Sequence, residues 1–157
     1  MEYIELAFKR PYEVAEIQWR KGFKGGKDLA YLDARQVANR FDKVVGMFGW
    51  QDSYVETGSG MKICTISILY KGKWISKSDG AGDTGIEADK GSMTSAFKRA
   101  ASKWGIGRYL YFRGCFDANR IPAEWATPEG YDRLMAKINQ RDIEKWKKEY
   151  EDAQKNS

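Results

Sequence analysis

The stretch MKICTISILYKGKWISKS, residues 61–78, decides the fold of this 157-residue chain. Its first half alternates, so that Cys64, Ile66 and Ile68 fall on one face of an extended strand. A two-residue Lys-Gly connection then separates it from a second strand-like run, and such a connection is short enough for a hairpin. The predicted hairpin consists of Met61–Tyr70, Lys71-Gly72 and Lys73–Ser78.

The flanking sequence extends this hairpin into a sheet backed by a helix. Upstream, Trp50–Thr57 is a third strand-like run, connected through Gly58-Ser59-Gly60. Downstream, a helical pattern runs from about Glu87 to Trp104 and ends at Gly105 and Gly107. Its apolar stripe consists of Met93, Phe97, Ala100, Ala101 and Trp104. The sequence therefore predicts an α+β fold in which an antiparallel three-stranded meander packs on a long α-helix, a β-β-β-α core.

The terminal segments predict further elements around this core. Residues 1–28 indicate an irregular or helical lead-in, with a short helix in PYEVAEIQWRK, and Leu29–Leu32 indicates a short strand. Asp33 is a predicted N-cap for an amphipathic helix. The apolar positions of that helix are Val37, Phe41, Val44 and Val45. We expect a main domain over residues 1–128 and a helical tail over residues 129–157, either part of the same domain or an element for oligomerisation or partner binding.

The composition excludes several classes of function. The chain has no histidine, which excludes Ser-His and Cys-His nucleophile pairs and His-ligated zinc. Cys64 and Cys115 lack a metal-like spacing and indicate reduced thiols in a cytoplasmic protein. No run of 18 apolar residues occurs, so no membrane partner is predicted. We expect no cofactor.

Positive charge is concentrated in residues 90–113, which contain no Asp or Glu. Their six basic residues contribute +6, against +5 for the whole chain: Lys90, Lys98, Arg99, Lys103, Arg108 and Arg113. A solvated helix face is the simpler interpretation, but such a face usually carries acidic partners one turn away. Tyr109, Tyr111 and Phe112 follow directly. Cations beside aromatic rings are typical of single-stranded nucleic-acid binding.

The motif GAGDTG, residues 80–85, matches the G-x-G-x-x-G fingerprint of dinucleotide-binding loops. Negative side chains surround it, whereas a phosphate-binding loop attracts negative charge. They are Asp79, Asp83, Glu87 and Asp89. We therefore interpret the motif as a mobile connection. The same carboxylates leave a Mg-dependent nuclease open as an alternative function, and an RNA-binding module is a second alternative.

Four motifs resemble Rad52-type single-strand annealing proteins, in particular their short phage and bacterial members. In order from about Glu16 to Tyr111 they are EIQWRKG, LAYLDARQVANRFDKVVG, WQDSY and EADKGSMTSAFKRAASKWGIGRYLY. The resemblance implies oligomeric rings or filaments that bind single-stranded DNA and anneal complementary strands without ATP, in homologous recombination and double-strand break repair. It implies no enzymatic activity, and a location in the cytoplasm of a bacterial or phage-infected cell.

The resemblance also implies which residues contact DNA. The Lys-Arg pair of the family's long helix falls on Lys98 and Arg99, and a basic residue early in the first core helix falls nearest Arg35. A lysine of a second, outer site falls on Lys71 or Lys73. Together with the charge pattern, the predicted DNA-binding residues are Lys98, Arg99, Lys103, Arg108, Arg35, Lys90, Lys71 and Lys73. The expected partners are single-stranded DNA, the annealed duplex intermediate and further copies of the chain, and a single-strand-binding protein is left open.

Overall fold

The computed structural model describes residues 3–82 and 88–155. Within these residues the elements are, in chain order, α1 (Tyr3–Lys9), β1 (Gln18–Arg20), β2 (Leu29–Tyr31), α2 (Ala34–Val45), β3 (Trp50–Glu56), β4 (Lys62–Tyr70), β5 (Lys73–Ala81), α3 (Ala88–Lys103) and α4 (Pro128–Lys155). None of the helices in these two ranges has the length and apolar character needed to cross a membrane.

The predicted meander is confirmed as an antiparallel sheet in the order β3-β4-β5. Cys64, Ile66 and Ile68 are buried, as the alternation predicts. The β4–β5 connection is a type I′ turn, since Lys71 and Gly72 have φ of 49° and 76°.

Strand β5 runs three residues beyond its predicted end at Ser78, because Gly80 pairs with Ile63 and Ala81 with Lys62. The start of the glycine motif is therefore strand, and the interpretation of that part as a mobile connection is wrong. Residues 83–85 of the motif, including Asp83, lie outside the described residues, as does Glu87.

Helix α3 packs across β4 and β5, and its buried stripe differs from the predicted one at its N-terminal end. Phe97, Ala100 and Ala101 are buried, but Met93 is 41% exposed. Arg99 lies beside Asp79, two residues before β5 ends. Met93 lies about 9 Å closer to the N-terminus of the helix. There the sheet ends and does not fully cover the side chains of α3. Ser92 and Ala96, which the prediction left out, are buried instead.

The N-terminal segment contains a strand where the sequence predicts a helix. In PYEVAEIQWRK only Val14–Glu16 is helical, as one 3₁₀ turn, and Gln18–Arg20 forms β1. Strand β1 pairs antiparallel with the predicted strand β2, with Gln18 opposite Tyr31. The helix prediction is wrong because β1 forms by pairing with a strand elsewhere in the chain. Periodicity within one segment does not reveal such a partner.

Helix α2 follows its prediction closely. The Asp33 carboxylate accepts a hydrogen bond from the Gln36 backbone N–H at 2.9 Å, and the Gln36 side chain accepts one from the Asp33 N–H at 2.9 Å. This reciprocal pair is a capping box. Val37 and Phe41 are buried, and Gly46, with φ of 80°, ends the helix.

A glycine corner connects α3 to the rest of the fold. Gly105 and Gly107 have φ of 102° and 69°, values that favour glycine. A Cβ atom on Gly105 would lie 2.8 Å from Lys9 Cγ, and one on Gly107 would lie 3.0 Å from Leu32 Cδ1. The corner thus brings the end of α3 against α1 and the end of β2.

The predicted C-terminal helix is confirmed as α4. Thr127 caps it, because its Oγ1 accepts a hydrogen bond from the Gly130 N–H at 3.1 Å. Its first turns contact α1, where the Tyr131 hydroxyl donates to the Leu6 carbonyl at 3.2 Å. Leu134 is 41% exposed. The side chains of Ile143, Trp146 and Tyr150 lie outside the described part of the chain.

Candidate nucleic-acid interface

A groove of about 780 Å³ lies between the β1–β2 pair, α3 and the segment that follows α3. Five of its lining residues are basic and five are aromatic: Arg20, Lys27, Lys98, Arg99, Arg113, Trp19, Tyr31, Tyr111, Phe112 and Phe116. Asp28 is the single acidic residue of this lining. The groove therefore combines cations and rings from three separate segments.

The pairing of β1 with β2 places a cation and a ring on the same wall. Residues that alternate along a strand share a face, and so do residues opposite each other in an antiparallel pair. Because Gln18 is opposite Tyr31, Arg20 and Tyr31 lie on one face. Trp19 lies on the other face and packs edge-on against Phe116, with ring centroids 4.9 Å apart.

Lys98 of α3 extends across the groove towards this wall. Its Nζ lies 5.4 Å from the centroid of the Tyr31 ring. Burial lowers the pKa of Lys98 below its ordinary value, the charge of Arg20 lowers it further, and the Asp33 carboxylate opposes both effects. A half-buried ammonium beside another cation is incompletely compensated, so an anion placed between Lys98 and Arg20 would be stabilised by both.

The other cations of the groove have few acidic partners. The Arg99 Nε lies 3.6 Å from Asp79 Oδ1, a long contact on a mostly exposed side chain. Asp28 forms an ion pair with Arg120, outside the lining. Within residues 3–82 and 88–155, the structure gives no ion pair to Lys98 or to the cations Arg20, Lys27 and Arg113. The groove is consequently a site of positive potential that attracts polyanions.

Two predicted DNA-binding residues lie outside this lining, at the end of α3. The Lys103 ammonium donates to the Ser78 carbonyl of β5. The Arg108 guanidinium donates to the carbonyls of Ser102 and Lys103, each at 2.7 Å. These carbonyls carry the negative end of the helix dipole, so Arg108 stabilises the end of α3.

The remaining predicted residues are distributed over other surfaces. Arg35 is exposed in the first turn of α2, outside the groove lining. Lys71 and Lys73 lie at the β4–β5 turn, where the Lys71 Nζ is 4.9 Å from the Tyr70 ring centroid. Six residues of β5, about 20 Å of strand, separate Lys73 from Asp79 beside the groove. Lys90 lies in the first turn of α3, and its side chain lies outside the described residues.

Arg20, Lys27 and Tyr31 line the groove but are absent from the predicted DNA-binding residues. The prediction rested on dense charge within one segment, whereas the groove takes its cations from segments far apart in the chain. A usable signal was present, because Arg20 and Lys27 frame KGFKGG, residues 21–26, beside a short strand. Recognising it requires the β1–β2 pairing.

The described cysteines and carboxylates show no arrangement for nucleophilic or metal chemistry. Cys64 and Cys115 are unpaired and buried, and burial raises the pKa of both thiols to about 11. Of the carboxylates around the glycine motif, Asp79 is the one whose side chain is described, and it contacts Arg99. Among the described residues, no three Cys, Asp or Glu side chains cluster as metal ligands would.

Comparison with known proteins agrees with the resemblance. Residues 1–116 match the Rad52/22 family of double-strand break repair proteins, and that range contains the whole groove lining. The single-stranded DNA-binding protein DdrA of Deinococcus deserti is 30% identical over 147 residues, covering 80% of this chain and 71% of the relative. Its namesake in Deinococcus radiodurans is 28% identical over 144 residues, covering 80% and 68%.

Proposed function

The chain belongs to the Rad52/22 family of double-strand break repair proteins, and we propose that it binds single-stranded DNA along the groove between the β1–β2 pair and α3. The observation that carries this proposal is the lining itself, with five cations, five aromatic rings and one acidic side chain that is already ion-paired. The two DdrA relatives, which are single-stranded DNA-binding proteins by name, support it.

The two walls suggest how a strand is held. Arg20 and Lys27 on one wall, with Lys98 and Arg99 on the other, contact phosphates, which position the strand without reading its sequence. Tyr31 and the exposed Tyr111 offer ring faces for bases. Because phosphate contacts and stacking both leave the pairing edges of the bases uncovered, pairing with a complementary strand remains possible, and the protein anneals strands without ATP or catalysis.

We propose that the chain acts as an oligomeric ring or filament. The sheet face opposite α3 supports this, since Val55 is 63% exposed and Trp74 is also exposed there. Between them, Thr65 and Ser78 exchange a hydrogen bond at 2.7 Å, and Ser67 and Ser76 one at 2.8 Å. A second copy packed on this face would cover both apolar ends. Light scattering at micromolar concentration tests this, because a strict monomer with and without DNA contradicts it.

We further propose that residues 1–128 form the DNA-binding unit and that α4 continues it as an assembly element.

If Lys71 and Lys73 bind a second strand, that contact lies about 20 Å along β5 from the groove and serves annealing rather than primary binding. Replacing both lysines with alanine then lowers the annealing rate while leaving the affinity for one strand unchanged. Equal losses of the two would contradict a separate second site.

The deciding experiment uses labelled complementary oligonucleotides without nucleotide cofactors. We expect salt-dependent binding of the single strand, followed by duplex formation faster than the spontaneous rate. Shortening of the labelled strand on addition of Mg²⁺ would instead indicate the nuclease. Tighter binding of an RNA of matched length and sequence would indicate the RNA-binding module.

A further inference from the structure

The loop between β1 and β2, residues 21–27, has a defined conformation beside the groove. Residues 23–26 form a β-turn closed by a hydrogen bond from the Gly26 N–H to the Phe23 carbonyl at 3.1 Å. A Cβ atom on Gly22 would lie 2.2 Å from the Lys27 carbonyl oxygen, so the two sides of the loop are in close contact. Lys24 takes a left-handed conformation, with φ of 50°. The turn therefore presents its side chains in fixed directions.

Phe23 projects from this turn into solvent. Its side chain is 86% exposed, whereas the chain's other phenylalanines include Phe8, Phe41 and Phe97 in the core. Within the described residues, the contact given for its ring is the Lys24 ammonium, 5.4 Å from the centroid. Leaving an aromatic ring in water forgoes the free energy of burying it. An exposed phenylalanine on a defined turn thus has surface available for a partner.

The position of the loop relates Phe23 to the groove. Arg20 before the loop and Lys27 after it both belong to the groove lining. Three residues of chain span at most about 11 Å, so Phe23 lies within that distance of Arg20 along the backbone. A strand leaving the groove past Arg20 and Lys27 therefore passes within reach of the Phe23 ring.

We propose that Phe23 stacks on a nucleobase of the bound single strand at the end of the groove, a contact additional to those inside it. This inference rests on the proposed function. The surrounding charge favours nucleic acid, because Lys21, Lys24 and Lys27 flank the ring and a purely apolar partner would have to desolvate them. A single strand offers a base face to the ring and phosphates to the lysines.

The experiment compares the parent with Phe23→Ala and Phe23→Trp on two ligands of equal length, an ordinary single strand and an abasic strand that keeps its phosphates. Loss of one stacked base lowers the affinity of Phe23→Ala for the ordinary strand about 5- to 100-fold. Its affinity for the abasic strand and its salt slope stay at the parent's values, because no phosphate contact is lost. Phe23→Trp binds the ordinary strand at least as tightly as the parent.

Phe48 provides the matched control, since it is 89% exposed in the turn after α2 and outside the groove lining. Phe48→Ala should bind like the parent, and an equal loss there would overturn the assignment. Equal losses on the ordinary and abasic strands, or a change in the assembly of Phe23→Ala by light scattering, would also overturn it. Failure of the proposed function is distinct, because the parent itself would then bind neither strand in a salt-dependent manner.

Discussion

Two concave surfaces of this chain are lined by cations and tyrosines, and they differ in what those cations contact. In the groove, Lys98 and Arg20 have no ion-pair partner within the described ranges. The second surface is a cleft of about 550 Å³ between α1, α2 and α4, with Arg10, Arg40 and Lys43 in its lining.

In this cleft the arginines are engaged within the protein. Arg10 forms a bidentate pair with Asp132, with Nε–Oδ1 and Nη2–Oδ2 distances of 3.0 and 2.9 Å, which lowers the pKa of Asp132. The Arg40 Nη1 donates to the carbonyls of Ala7 and Arg10 at 2.9 and 2.7 Å, and its guanidinium stacks 4.0 Å from the Tyr12 ring. The number of cations in a concavity therefore says less about ligand binding than the number of donors left available.

The largest expected effect is the loss of DNA binding when the α3 wall of the groove is removed, in the double variant Lys98→Ala, Arg99→Ala. Its affinity for a single strand falls about 100-fold or more, since charge-assisted hydrogen bonds contribute roughly 1.5–3 kcal/mol each. The slope of log affinity against log salt flattens by about 1.4 units, at roughly 0.7 per phosphate contact. Titrations at several salt concentrations measure both quantities.

This variant should keep its melting temperature and its assembly, because neither side chain is on the buried stripe of α3. A folded, assembled variant with the parent's affinity and salt slope would mean that these cations of the groove, like those of the cleft, do not bind DNA. It would show that the α3 wall is a solvated surface.

The corresponding change in the cleft should affect stability and leave binding intact. Arg40→Met leaves the Ala7 and Arg10 carbonyls without their donor. We expect a loss of about 2 kcal/mol in the free energy of unfolding, or roughly 4–8 °C in melting temperature. Thermal unfolding measures this loss, and the salt slope for DNA should remain that of the parent. A flattened slope in this folded variant would mean that the cleft also binds DNA.

The smallest expected effect is a pH dependence specific to the groove. Because the pKa of Lys98 is lowered in the free protein, its charge is lost at a lower pH than for an ordinary lysine. A bound phosphate favours the protonated form, so DNA affinity decreases as the pH rises through that lowered pKa. Between about pH 8 and about pH 10 we expect a decrease of roughly two- to fivefold.

Lys98→Arg tests this effect, because a guanidinium stays charged over the same pH range. Its absolute affinity can differ from the parent's, but its pH profile should be flatter. Identical profiles in the two proteins would show that Lys98 does not contact the phosphates.

The parts of the fold that sequence predicts are those determined by local periodicity. Val37 and Phe41 of α2, and the alternation of Cys64, Ile66 and Ile68 in β4, need only neighbouring residues to be recognised. Strand β1 depends on a partner about ten residues away, and the exposure of Met93 depends on where the sheet ends. Neither can be read from one segment.

The lining of the groove was predicted only in part, because only its local charge pattern is visible in the sequence. Lys98 and Arg99 lie in one dense basic segment and do line the groove. Arg108, from the same segment, instead bonds the carbonyls at the end of α3. Whether a cation faces solvent or a helix end depends on the path of the chain after Gly105, which charge patterning does not contain.

The contact between Gly107 and Leu32 has a consequence for the width of the groove. It packs the end of α3 closely against the end of β2. Contact between the Gly107 backbone and the Leu32 side chain therefore sets the separation of the two walls. Substitution with alanine would require both an unfavourable φ and a displacement of the Leu32 side chain. The width of the groove consequently varies as little as distances within a packed interior do, and less than it would if a surface loop formed the wall. Long side chains such as Arg20 and Lys98, rather than the walls that carry them, adjust to the shape of whatever lies between.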